Sequence, residues 1–163
     1  MKDALGGLGN ITLLFFFVTL VSGFILFGMN YYRAFSVKNF IITKVEAYEG
    51  NFDNSDLRGK INDYMNRMGY SVDQQGETVD SNGIKWTCEN GWCWAHDTEN
   101  SEKYTTNGGK CNVSYDIYLV RTFVNGDAPF INNGFFSFGR IFQVNGETKP
   151  IKRISGECLW KKD

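Results

Sequence analysis

Histidine occurs once, at His96, and proline only twice, in a chain of 163 residues whose 17 basic and 18 acidic side chains nearly cancel. Each scarcity removes a class of function. With a formal net charge of -1 and basic residues dispersed along the chain, no basic patch is available to track a phosphate backbone, so nucleic acid is not an expected partner. His96 sits beside Asp97 and close to Glu99, but nothing sets a nucleophilic serine or cysteine against it. A surface histidine next to acids is the plainer reading. No Gly-x-x-x-x-Gly-Lys loop occurs, and Gly6-Gly7-Leu8-Gly9 precedes an apolar run instead of following a strand, so it is no dinucleotide cradle. Asp53, Asp56, Asp73, Glu77 and Asp80 lack the spacing of a calcium loop. Neither catalysis nor a cofactor nor a metal is expected. With few prolines, no low-complexity tract and no internal repeat, nothing marks a linker between two folded units.

What the chain has in quantity is uncharged sequence. From position 4 to position 32 there is no charged side chain, and Ile11 to Met29 is almost wholly apolar. As a helix that stretch rises about 28 Å, close to the thickness of a bilayer's hydrocarbon core. A membrane-spanning helix is the expectation. Two plainer readings compete: a cleaved secretory signal with Val21-Ser22-Gly23 as its cleavage site, and a buried core helix. Against the first, the apolar character continues to Met29 and Lys2 is the only basic side chain in front of it. The chain thus divides into residues 1–32, a short N-terminal segment and transmembrane helix, and residues 33–163, one extracytoplasmic domain.

Sidedness rests on two opposed signals. Arg33, Lys38 and Lys44 after the span outnumber Lys2 and the amino terminus before it, which favours a cytosolic C-terminal part. All four cysteines, Cys88, Cys93, Cys111 and Cys158, lie in the C-terminal part, and an even count suits an oxidising compartment. The charge difference is small, so the domain is expected outside the cytosol.

Trp86-Thr87-Cys88-Glu89-Asn90-Gly91-Trp92-Cys93-Trp94 carries Asn-Gly at its middle, the strongest short signal for a two-residue hairpin turn. Glu89 then faces Trp92 and Cys88 faces Cys93, with cysteine Cα atoms about 4.5 Å apart, within reach of a disulfide. Cys111 and Cys158 would pair with each other. A zinc site is the alternative, but its ligands usually come as two close pairs, and Cys111 and Cys158 are far apart in sequence; free thiols are the other.

After the span, Ala34, Val37, Ile41, Val45 and Tyr48 recur at steps of three and four until Gly50, so the helix is expected to continue past the membrane. A second helix is predicted over residues 55–68, with Leu57, Ile61, Tyr64, Met65 and Met68 as its apolar stripe and Gly69 as its stop. From about Gly83 the period changes to two. One strand is predicted through Val113, Tyr115, Ile117, Leu119 and Phe123, with that row buried, and Asn125-Gly126 closes it. Another is predicted from Phe135 to Val144, ended by a turn at Asn145-Gly146, and a last one within residues 149–160. The fold class is α+β: two helices, then a disulfide-stapled antiparallel sheet of about four to six strands.

A short N-terminal segment, an apolar span running on as an amphipathic helix, and a small disulfide-bearing sheet resemble the pilin and pseudopilin superfamily, above all TadE-like envelope proteins. The stretch from Phe130-Ile131-Asn132-Asn133-Gly134 to Val144-Asn145-Gly146-Glu147-Thr148-Lys149 is similar to small Gram-positive proteins of that kind. The chain departs from type IV pilins in having no acid among Asn10 to Leu14 after Gly9, so an uncleaved TadE-like anchor fits better. The resemblance implies a structural or assembly component of a bacterial pilus or secretion machine in the cell membrane. Its partners would be the lipid bilayer and other membrane or pilin-like subunits.

Two surfaces offer binding. Thr19 and Gly23 form a small-xxx-small pair, and Gly28 adds a smooth spot, suited to packing against other membrane helices. By strand alternation Trp92 and Trp94 share one face while Trp86 lies with the cysteines on the other. Exposed, Trp92 and Trp94 make a platform for a glycan or protein partner, the basis of an alternative function as an anchored binding module; buried, they are core. Asn10 and Asn112 match the N-glycosylation acceptor pattern, read here as chance.

Overall fold

The uncharged run and the amphipathic stretch after it form one helix, α1, Lys2–Ala47. The structure, a computed structural model, describes residues 2–103, 106–108, 111–124 and 142–155. The character of α1 changes along its length. From Ile11 to Tyr32 the large apolar side chains are exposed on every side, whereas from Ala34 a stripe of Ala34, Val37, Ile41 and Val45 is fully buried. The helix ends where Glu49 and Gly50 turn to positive φ, 52° and 70°. A Cβ at Gly50 would run into the Tyr118 ring, so glycine is required there for space as well as for backbone conformation.

Helix α2, Ser55–Met68, folds back along α1. Its first turn is capped by the Asn54 side chain, which accepts from the Asp56 N–H, and Gly69 closes it at φ 62°. Phe40 stacks on Tyr64 at 3.9 Å between ring centroids, and Gly69 lies beside the Arg33 guanidinium, so the two helices run antiparallel. Leu57, Ile61 and Met65 turn inward as their spacing predicts.

Five strands make the main sheet in the order β1-β2-β3-β6-β7: β1 Gly76–Val79, β2 Lys85–Glu89, β3 Trp92–His96, β6 Tyr118–Val124 and β7 Phe142–Glu147. All its pairings are antiparallel. A second sheet, β4-β5-β8, joins β4 Thr106–Gly108, β5 Cys111–Asp116 and β8 Ile151–Ser155, and α3, Thr98–Lys103, lies between β3 and β4. The class is α+β, with the two long helices on one face of the main sheet.

Three expectations need correction. The single strand read through Val113 and Phe123 is two strands in different sheets. Ile117 is the break, because its N–H donates to Ser101 Oγ of α3 and its carbonyl accepts from the N–H of Asp97, just before α3, so both groups that would have continued a ladder are taken. Burial is also not confined to the row the apolar count selects. Tyr118, Val120, Thr122 and Val124 pack toward the helices, while Phe123 and Leu119 belong to a second cluster on the opposite face, so β6 is covered on both sides. Thr122, polar by type, is fully buried because its hydroxyl donates to the Ala34 carbonyl at 2.9 Å. Asn145-Gly146 is not a turn either: Gly146 pairs with Val120 inside β7, and a Cβ there would meet Ile42 Cδ1 at 2.8 Å. That glycine lets α1 lie close to the strand. Of the other sequence readings, the Cys111 to Cys158 pairing, the turn at Asn125-Gly126 and residues 135–141 of the predicted strand lie outside the described residues, as does the chain after position 155.

Candidate functional site

The disulfide hairpin forms as its turn residues require. Asn90 and Gly91 take φ of 49° and 90°, Glu89 pairs with Trp92, and Cys88 pairs with Cys93 at a Cα separation of 4.0 Å with the disulfide closed. Gly91 is confined further, since a Cβ on it would strike the Val72 carbonyl oxygen. The hairpin is held from behind by Tyr70, whose buried hydroxyl donates to the Gly91 carbonyl and accepts from the Phe123 N–H. Burial pushes that phenol up to about 12.

The tryptophans divide between the two faces as strand alternation predicts. Trp86 shares a cluster with Cys88, Cys93, Ala95 and Phe123, whereas Trp92 and Trp94 face the helices. Trp92 is 2% exposed and Trp94, half-buried, stacks on Phe52 at 4.9 Å, so Trp92 is core and Trp94 packs against it. The helix-facing side is closed by Phe52 and Tyr118, whose rings meet edge to face at 5.0 Å.

The polar groups form structural ties. His96 Nε2 lies 3.3 Å from Asp116, which also pairs with Arg153, and Arg153 donates to the Tyr118 hydroxyl at 3.0 Å. This set joins β3 of one sheet to β5 and β8 of the other. On the far face, Arg121 lies over the Trp86 ring at 3.8 Å and reaches Asp80 at 3.4 Å. Asp80 also accepts from Trp86 Nε1 and from the N–H groups of Asn82 and Ile84. Those bonds, Trp86 foremost, hold its carboxyl below the usual range. Among the described residues no three His, Cys, Asp or Glu side chains gather as a metal site would need. A cleft of about 440 Å³ between the end of α2 and the hairpin is lined by the amides Asn62, Asn66, Gln75 and Asn90 and by apolar and hydroxyl side chains, with Asp73 its single acid.

The largest unpartnered feature is α1 itself. It is long and apolar enough to cross a membrane, and none of its most apolar stretch is buried. Phe15, Phe16, Phe17 and Phe24 are each more than 60% exposed. A helix apolar all round and bare on every side is unsuited to water and suited to lipid. Thr19, Gly23 and Gly28 lie on this stretch: the Thr19 hydroxyl donates to the Phe15 carbonyl at 2.8 Å, and no other part of the chain lies within 4 Å of where a Cβ would stand on Gly23 or Gly28. Their smooth surface is open. At the upper end of the run Phe27, Tyr31 and Phe35 follow at steps of four, Tyr31 and Phe35 stack at 6.5 Å, and Lys38 Nζ lies 4.4 Å over Phe35. Comparison with protein-family models, characterised proteins and solved structures returned no match.

Proposed function

We propose that this chain is a single-pass membrane protein that works as a structural or assembly component of a cell-envelope machine, with its α+β domain outside the cytosol. The observation that carries this reading is the bare apolar half of α1, continuous without a break with the half that anchors the domain's core. An uninterrupted helix transmits position and load from the bilayer to the sheet. The Cys88 to Cys93 disulfide supports an oxidising side for the domain. The ties made by His96, Asp80 and Arg121 are used up in holding the fold, which favours a mechanical role. In that role the open Thr19 and Gly23 surface receives neighbouring membrane helices. Changing Thr19 and Gly23 together to phenylalanine should leave the chain in the membrane fraction while abolishing its cross-linked assemblies. Assemblies of unchanged yield in the double variant would refute packing through this surface.

A further inference from the structure

Strand β7 runs alongside α1, and its contacts fix which end is which. Phe142 meets Phe27 edge to face at 5.2 Å, Gly146 lies against Lys38 and Ile42, and the Lys149 N–H donates to Glu46 Oε1 at 2.8 Å. The strand therefore climbs the helix from inside its apolar run to its C-terminal end. Phe27 precedes Met29, the last residue of that run, and stands about 9 Å below Arg33, the first charged side chain after it. A bilayer deep enough to cover Ile11 to Met29 reaches Phe27, and so reaches Phe142. That ring is 48% exposed although it sits at the end of a paired strand, opposite the buried Val124.

We propose that the membrane surface itself is the partner of this end of the sheet. Phe142, with the Phe27, Tyr31 and Phe35 stripe of α1, forms an apolar seat in the boundary between headgroups and acyl chains, and the domain rests on the bilayer instead of standing clear of it. The inference depends on α1 being the membrane anchor. Three features favour lipid over another occupant. The seat is continuous with the bare span, it includes Tyr31, a residue type that collects at membrane interfaces, and charge begins within its upper part, with Arg33 reaching toward the end of α2 and Lys38 over Phe35. The seat also fixes the domain's tilt, because α1 and the start of β7 touch the bilayer at two separate points of the chain.

The test places a nitroxide on the full-length protein in phosphatidylcholine and phosphatidylglycerol vesicles, at Phe142→Cys, Phe24→Cys or Val79→Cys, with the unsubstituted chain labelled in parallel as background. Val79 lies on β1, the opposite edge of the sheet, and is 63% exposed. Relaxation by oxygen should exceed relaxation by a water-soluble nickel chelate at positions 24 and 142, and the order should reverse at 79. Lipid-like behaviour at 24 with water-like behaviour at 142 would overturn the seat and leave the anchor standing. Exclusion of both relaxants at 142, with spin-spin broadening between labels, would assign the patch to a second copy and also overturn it. Water-like behaviour at 24 would bring down the anchor, and the seat with it.

Discussion

Asp80, one of the acids that lack calcium-loop spacing in the sequence, serves the fold in three dimensions. Its carboxylate gathers the Trp86 indole, two backbone N–H groups and the Arg121 guanidinium, and so fastens the turn before β2 to strand β6. Because its folded pKa is lowered, the stability it contributes is present above its ordinary value near 4 and is lost as pH falls through the folded value. Asp80→Asn should therefore lower the melting temperature at pH 7, and the gap to the wild type should narrow steadily below about pH 4. Thermal unfolding in detergent from pH 3 to 7 checks this; a gap independent of pH would mean that the charge contributes nothing. The Arg121 partner was not legible in the sequence, since Asp80 and Arg121 lie in segments joined only by the sheet order.

Among the elements, those with local causes were legible. Helix α2 has its cap, stripe and glycine stop within a few residues, and the β2-β3 hairpin follows from Asn90-Gly91. Where neighbours decide, sequence reading failed. The break at Ile117 depends on α3, the second buried face of β6 depends on the cluster around Trp86, and Gly146 resembled a turn residue until α1 was seen beside it. Paired substitutions separate a glycine needed for packing from one that is not. Gly59 lies exposed within α2 with open space where a Cβ would stand, so Gly59→Ala should stabilise by roughly 0.5–1 kcal/mol. Gly146→Val should destabilise by about 1–3 kcal/mol by prising β7 from α1. Thermal or denaturant unfolding of the two variants gives both numbers, and equal effects of one sign would contradict the close packing described here.

At the scale of the whole molecule, the apolar run was plain in the sequence, but its relation to the sheet was not. The run alone gives a candidate span; the contact between Phe27 and Phe142 ties the start of β7 to the upper part of that run. Together they describe one helix that is long and apolar enough to span a membrane over its first half and core of an α+β domain over its second. The account's central claim is that this domain, with its disulfide, lies outside the cytosol. Labelling intact cells with a membrane-impermeant thiol reagent, before and after an impermeant reductant, addresses side and redox state together. The account predicts labelling at Cys88 and Cys93 in intact cells only once the reductant is added. Labelling that instead requires permeabilisation and no reductant would place reduced thiols in the cytosol and contradict it.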